Sequence, residues 1–167
     1  MSCRKINYSY RYRYEGRQLY PSFMQRRLLD NHLASLMNRC GRKVSNRLSA
    51  DLRSVGLSLD AWLVLHLLVT EGAKSMSEIA EELVLNLTTA TKLIDRMVSD
   101  NLVYRKPGET DRRVVNILPS DAGVIRHQVA RKIVEREQVY LKKTLKNVDD
   151  LMDRLLQVMA SIDGTNK

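Results

Sequence analysis

A helix-length amphipathic segment runs directly into a turn-rich hairpin over residues 86–113, and this succession constrains the fold more than any other feature of the chain. Asn86 is a suitable N-cap, and apolar residues recur at helical spacing after it. The residues expected to face the core are Leu87, Ala90, Leu93, Ile94, Met97 and Val98. Two short strands are predicted next, at 102–106 and 114–118, with a glycine-containing turn between them.

The other side of this helix and the tip of the hairpin carry side chains that suit a nucleic-acid partner. Hydroxyl, amide and basic groups reach phosphates and base edges, and threonine methyls can contact thymine. An arginine-bearing loop can enter a narrow minor groove, and we expect Asp111 to orient Arg113 there. The predicted DNA-binding residues are Asn86, Leu87, Thr88, Thr89, Thr91, Lys92, Arg96, Asp111, Arg112 and Arg113.

Three helices are predicted before this segment, from apolar periodicity and capping residues. They cover 22–55, where Gly41 interrupts the pattern, then 59–70 with Ser58 as the N-cap, and then 75–83. A fold that is mainly helical follows from these segments.

Two more helices are predicted after the hairpin. They cover 121–145 and 148–162, with Ser120 and Asn147 as N-caps. The last one has an apolar stripe that is too large to remain exposed, formed by Val148, Leu151, Met152, Leu155, Leu156 and Met159.

The excess positive charge lies in the first third of the chain. Residues 1–53 contain 12 Lys and Arg against three acidic residues, so the whole-chain totals of 28 and 19 leave 16 of each sign after residue 53. Residues 1–20 alternate tyrosine with polar and basic groups. This segment has two interpretations, a disordered tail or an arm that lies along DNA. Basic charge favours a polyanionic partner through counterion release.

Several function classes find no support in the sequence. No run is apolar and long enough to span a membrane, and no signal peptide is recognisable, so a cytoplasmic protein is expected. Cys3 and Cys40 form no disulfide framework and no metal-ligand spacing. No nucleophile–base constellation or phosphate-binding glycine loop is present. We therefore expect neither an enzyme nor a cofactor or metal.

Four short motifs resemble successive motifs of the MarR family of regulators. They are LSLDAW at 57–62, IAEEL at 79–83, LIDRM at 93–97 and DRR at 111–113. The resemblance covers about 22–162 and is strongest over 57–123, with the Asp-x-Arg pattern of the hairpin as its most diagnostic part.

This resemblance implies a mainly α, winged helix-turn-helix protein whose N- and C-terminal helices interlock as a dimerisation region. The implied organisation is an N-terminal arm at 1–20, a dimerisation helix at 21–56, the DNA-binding domain at 57–119 and C-terminal dimerisation helices at 120–167. It further implies a homodimer on double-stranded palindromic operators, with repression relieved by a small anionic or phenolic ligand.

The sequence departs from the family pattern at two places. Leu87 stands where many members have a polar or basic residue, which predicts apolar readout of the DNA at that position. PSDAG at 119–123 replaces the commoner Leu-Thr-x-x-Gly, and Ser120 retains the capping function.

The resemblance also places four candidate ligand contacts, His32, Arg39, Trp62 and His66, near an effector pocket. Core packing of Trp62 and an interhelical contact of His66 are the alternative interpretations of that pair. Oxidation of Cys40, which follows a cation, is the alternative switch. A sequence-tolerant, nucleoid-type DNA binder that relies on the basic N-terminal third is the rival function.

Overall fold

The computed structural model describes residues 32–108 and 115–164, in which helices predominate, as the sequence predicts. The helices are α1 (Leu33–Arg53), α2 (Leu59–Glu71), α3 (Met76–Glu82), α4 (Leu87–Ser99), α5 (Asp121–Thr144) and α6 (Val148–Gly164). The strands are β1 (Lys74–Ser75), β2 (Val103–Pro107) and β3 (Val115–Pro119). None of these helices is long and apolar enough to cross a lipid bilayer.

Two compact units divide the chain, Met1–Gly41 and Arg42–Lys167. The described part of the first unit, residues 32–41, is the beginning of α1, where the side chain of Leu33 is 65% exposed. The remainder of α1 and all later elements belong to the second unit.

The helix starts confirm the predicted caps because each cap is a contact within one turn of chain. The hydroxyl of Ser58 accepts from the N–H of Ala61 at 3.1 Å, and that of Ser120 accepts from Gly123 at 3.0 Å. Ser75 and Glu78 form a reciprocal capping box at the start of α3. These short-range hydrogen bonds satisfy N–H groups that have no partner within the helix.

The turn between α3 and α4 fixes where α4 begins. Val84 has a left-handed φ of +52°, and the N–H of Leu85 donates to the carbonyl of Ala80 at 2.8 Å. This arrangement ends α3 as a Schellman-type cap does, although a β-branched residue stands where glycine is usual. Two residues later, Asn86 caps α4.

The three strands form one antiparallel sheet in the order β1-β3-β2. In the register of the hairpin, Arg105 of β2 lies opposite Ile117 of β3, which also lies opposite Lys74 of β1. Each hairpin strand begins and ends one residue later than the sequence predicts. The tip of the hairpin, residues 109–114, lies outside the described residues.

One core of the second unit positions α4 against the other helices and the sheet. It includes Leu52 of α1, Leu65 and Leu68 of α2, Ile79 of α3, Ile94 and Met97 of α4, Ile117 of β3, and Ala130 and Ile133 of α5. Because α4 buries one side on this core, its opposite side is exposed.

Three local expectations differ from the structure. α1 is continuous through Gly41, since one glycine lowers helix stability without breaking the hydrogen bonds of the helix. Leu87 and Val98 are exposed at 54% and 37%, because the buried stripe of α4 is narrower than its apolar sequence. Asn147 has a left-handed φ of +60° and is a turn residue rather than an extended N-cap. In the single chain the stripe of α6, apart from Val148, is exposed, so its cover stays a prediction.

Candidate DNA-binding surface and effector contacts

The side of α4 that faces away from the core carries most of the predicted DNA contacts. Ala90, Ile94 and Met97 are buried, whereas the predicted contact residues of this helix are exposed apart from the half-buried Thr91. Those exposed side chains are Asn86, Leu87, Thr88, Thr89, Lys92 and Arg96. The structure therefore brings seven of the ten predicted residues onto one helix and its cap.

Two polar groups at the start of α4 are engaged within the helix itself. The side-chain carbonyl of Asn86 accepts from the N–H of Thr89 at 2.8 Å, and the hydroxyl of Thr91 donates to the carbonyl of Leu87 at 2.8 Å. The first turn thus presents backbone N–H groups at a positive helix end, which is a favourable position for a phosphate.

An ion pair that the sequence analysis missed ties α4 to the hairpin. Arg105 Nη2 of β2 donates to Asp95 Oδ1 of α4 at 2.5 Å, and both side chains are substantially exposed. The pair fixes the strand that leads to the hairpin tip relative to the helix. Its sequence signal is weak, because ten residues and a change of element separate the two partners.

The remaining predicted DNA contacts, Asp111, Arg112 and Arg113, lie outside the described residues. The flanking strands β2 and β3 are paired from Val103↔Pro119 to Pro107↔Val115. The expected orientation of Arg113 by Asp111 therefore stays a prediction.

Trp62 and His66, two predicted ligand contacts, form a ring cluster with His127 of α5. The ring centroids are 5.0 Å apart for Trp62 and His66 and 5.3 Å apart for His66 and His127, with nearly parallel planes. His66 Nδ1 lies 3.1 Å from His127 Nε2, a hydrogen bond in which either ring can be the donor. The sequence could not indicate His127, because it is 61 residues away from His66.

Two polar atoms of this ring cluster are buried without a hydrogen-bond partner among the described residues. They are Trp62 Nε1 and His127 Nδ1. Burial lowers the pKa of His127, and the nearby His66 and Arg131 lower it further, which favours the neutral ring. Unpaired buried donors and acceptors are rare in proteins, which makes the cluster a candidate contact for a ligand.

The other candidate switch residues lie in the first unit. His32, Arg39 and Cys40 are all exposed, and Cys40 is a free thiol. The exposure of Cys40 contradicts the general expectation that a cysteine in the middle of a helix packs in the core. Among the described residues, no group of three His, Cys, Asp or Glu side chains could hold a metal ion.

A cavity of about 500 Å³ opens beside the C-terminal half of α4. Its apolar lining includes Leu93 and Met97, and its charged lining includes Arg53, Arg96 and Asp100. A molecule in this cavity would contact Arg96, which is also a predicted DNA contact.

A buried carboxylate joins α1 to α5. Arg47 Nε lies 3.0 Å from Glu137 Oε2, and the guanidinium carbon of Arg47 lies 3.6 Å from the centroid of the Tyr140 ring. A hydrogen bond from Arg47 lowers the pKa of Tyr140, with a smaller contribution from Thr144. This cluster fixes the second half of α1 on α5.

Comparison with known proteins agrees with this architecture. The family model described as "MarR family" matches residues 57–115. The uncharacterized HTH-type transcriptional regulator YsmB of Bacillus subtilis (strain 168) is 30% identical over 122 residues, which cover 71% of this chain and 75% of that protein. The HTH-type transcriptional repressor IacR of Pseudomonas putida is 28% identical over 112 residues, which cover 65% of each chain.

Solved structures share the fold. The transcriptional repressor CouR, bound to a 23-mer DNA duplex, superposes with a TM-score of 0.69 at 25% identity, over 81% of this chain and 94% of CouR. A mutant MarR from E. coli, complexed with operator DNA, gives a TM-score of 0.68 at 20% identity, over 86% of this chain and 99% of that one.

The family match, the YsmB similarity and the helix-turn-helix with its hairpin lead to one assignment. The chain belongs to the MarR family of winged-helix transcriptional regulators, which are DNA-binding proteins and not enzymes.

Proposed function

We propose that this protein is a homodimeric, sequence-specific repressor that inserts α4 into the major groove and the tip of the hairpin into the adjacent minor groove. One observation carries the proposal: α4 exposes its polar and basic side beside a strand that the Asp95–Arg105 ion pair holds to it. In the proposed complex Lys92 and Arg96 would reach phosphates or guanine edges, and Arg112 and Arg113 would contact the minor groove.

The DNA-bound relative supports this docking. CouR, at 25% identity, is a repressor whose structure contains a 23-mer duplex. IacR is likewise named a repressor, which favours repression over activation for this chain. Two copies of α4 would enter successive major grooves about 34–36 Å apart, so the operator would be a palindrome with half-sites one helical turn apart.

The exposed apolar stripe of α6 supports homodimerisation. Its exposed apolar side chains occupy one face of the helix, and water is an unfavourable environment for a stripe of this size. A second copy that buries the same stripe through a twofold axis satisfies both copies at once.

For the effector we propose a small aromatic anion or phenol that contacts the ring cluster of Trp62, His66 and His127. A phenol or carboxylate oxygen can accept from the N–H of Trp62, and the ring of the ligand can stack on the cluster. Benzoate and phenol are the two test ligands that separate these chemistries. Benzoate has a negative charge and no hydroxyl, whereas phenol has a hydroxyl and no charge.

The DNA proposal is tested by capturing genomic fragments on the purified full-length protein and titrating the enriched site in gel shifts. Arg113→Ala should weaken specific binding by roughly 1–3 kcal/mol, and Lys92→Ala should reduce the salt dependence of binding by about one phosphate contact. Lys146→Ala, which removes an exposed charge from the α5–α6 turn, is the matched control. Equal affinities of all three variants and the wild type would reject the proposed surface.

Two alternatives have their own outcomes in the same assay. A sequence-tolerant binder would lose its affinity for all DNA when residues 1–20 are deleted, whereas a sequence-specific regulator would retain its preference for the captured site.

A thiol switch would show release of DNA by peroxide in the wild type and not in Cys40→Ser, since the thiol is exposed.

A further inference from the structure

The first turn of α4 presents an apolar surface where a polar one is expected for contact with DNA. Leu87, Thr88 and Thr91 form this surface, which we call the methyl patch. Leu87 is 54% exposed, Thr88 is exposed and Thr91 is half-buried. Position 91 is one turn after positions 87 and 88, so the three side chains are neighbours on the helix surface.

Internal hydrogen bonds make this turn less polar than its sequence. The hydroxyl of Thr91 donates to the carbonyl of Leu87 at 2.8 Å, so its proton is not available to a base edge. The carbonyl oxygen of Asn86 is engaged by the N–H of Thr89 at 2.8 Å. Leu87 therefore offers only carbon atoms at the start of the helix, beside threonines that can offer either a methyl group or a hydroxyl.

We infer that the methyl patch reads the 5-methyl group of a pyrimidine in the major groove, an inference that rests on the proposed docking of α4. The 5-methyl group of thymine is the apolar group that base pairs present in that groove, and apolar side chains recognise it by contact. Burying Leu87 against this methyl removes apolar surface of both partners from water. A polar base edge at this position would instead lose its hydration without gaining a hydrogen bond.

The charges around the patch favour DNA over a protein as the occupant. Lys92 follows Thr88 by one turn and Arg96 follows Lys92 by one more turn, and both are exposed on the same side of α4. An apolar contact bordered by two cations suits a phosphate backbone with a methyl-bearing base edge between the strands. The larger apolar surface for a second copy lies on α6.

The test replaces single thymines of the captured operator by deoxyuridine, which lacks only the 5-methyl group. The wild type should bind about fourfold more weakly when the contacted thymine of one half-site is replaced, which corresponds to about 0.8 kcal/mol for one buried methyl-sized group. Leu87→Ser should bind the thymine and uracil operators equally. Because Leu87 is exposed and at the first position of α4, this variant should unfold thermally like the wild type.

Lys92→Ala is the matched control, because it removes an exposed neighbour with no apolar contact to a base. It should weaken binding to both operators and leave their affinity ratio unchanged. Methylation of single cytosines at their 5-position distinguishes the source of the methyl group. If methylation of a cytosine increases the affinity, the patch contacts 5-methylcytosine. If the affinity changes only when a thymine is replaced, the patch contacts thymine.

A wild-type affinity that is unchanged by every thymine and cytosine replacement would overturn the inference, while specific binding to the operator would still support the proposed function. A ratio of thymine to uracil affinity that persists in Leu87→Ser would also overturn it. Absence of any specific binding in the wild type would reject the proposed function itself.

Discussion

Gly123 lies where the first turn of α5 meets the backbone before β2. A Cβ atom at this position would be 2.0 Å from the carbonyl oxygen of Leu102 and 3.1 Å from the side chain of Leu65. Because one of these neighbours is backbone, it cannot rotate away, and the helix itself would have to move. The close approach depends on the missing side chain rather than on an unusual φ.

We expect Gly123→Ala to lower the free energy of unfolding by about 1–3 kcal/mol, the usual cost of overpacking. Denaturant unfolding followed by circular dichroism measures this change. Gly41→Ala is the matched control, because nothing lies within 4 Å of a Cβ there. In the middle of α1 the control should raise stability by about 0.5–1 kcal/mol, and a loss of similar size in both variants would contradict the packing argument.

The buried ring of His127 predicts a pH dependence of stability. Its pKa is lowered in the folded protein by burial and then by His66 and Arg131, whereas the unfolded chain has an ordinary value of about 6.5. Below that pH the unfolded state binds more protons than the folded state, so stability falls as the pH decreases from about 6.5 towards the lowered pKa.

Thermal unfolding of the wild type should therefore shift to lower temperature between about pH 7.5 and about pH 5.5, a range that spans the ordinary histidine pKa. His127→Phe retains a stacking ring and removes the titrating group, so its unfolding temperature should change less over the same range. The charged or titratable groups that act on His127 are His66, at 3.1 Å, and Arg131. Equal pH dependence in both proteins would show that His127 is not responsible.

At the scale of elements, one ion pair links α4 to β2 outside the core that both elements share. Asp95 and Arg105 are 53% and 40% exposed, so solvent screening limits their contribution to the stability of the fold to less than about 1 kcal/mol. Their effect on DNA binding should be larger, because they fix the direction of the strand that carries the hairpin tip.

We expect Asp95→Asn to weaken binding to the operator by about three- to tenfold, on the order of 1 kcal/mol, measured by fluorescence anisotropy. Loss of a negative charge near DNA would by itself strengthen binding, so a weaker complex identifies a positioning role. Arg105→Ala should have a non-additive effect with Asp95→Asn in a double-mutant cycle. Stronger binding by Asp95→Asn would contradict the positioning role.

At the scale of the whole molecule, the apolar stripe of α6 needs a partner surface that buries it. Among its members, Leu155 is 38% and Met159 is 52% exposed in the single chain. A charge in the centre of this stripe cannot be buried without a partner, so it should abolish an interface formed there.

Light scattering should give a wild-type mass of about twice the chain mass of 19.3 kDa, and Leu155→Glu should give the chain mass itself. Gln157→Glu adds the same charge on the opposite side of α6 and should leave the dimer intact. A dimeric Leu155→Glu variant would place the interface elsewhere, and operator affinity should fall in parallel with dimerisation.

The sequence by itself determined the features that depend on contacts within one or two turns of chain. Ser58, Asn86 and Ser120 cap their helices as predicted, because a cap involves only the next three residues. The identity of α4 and the hairpin followed from the same local rules. Family membership followed from short motifs that lie within these elements.

Only the tertiary structure decided which side chains meet across the fold and which apolar residues are buried. His66 contacts His127 and Arg47 contacts Glu137 because α2 and α1 pack on α5, and no local pattern encodes those distances. Leu87 belongs to an apolar pattern and is nevertheless exposed. The core beneath α4 buries fewer of the apolar residues of this helix than the periodicity predicts. Periodicity fixes the direction of each side chain on its helix, whereas burial depends on the neighbouring elements.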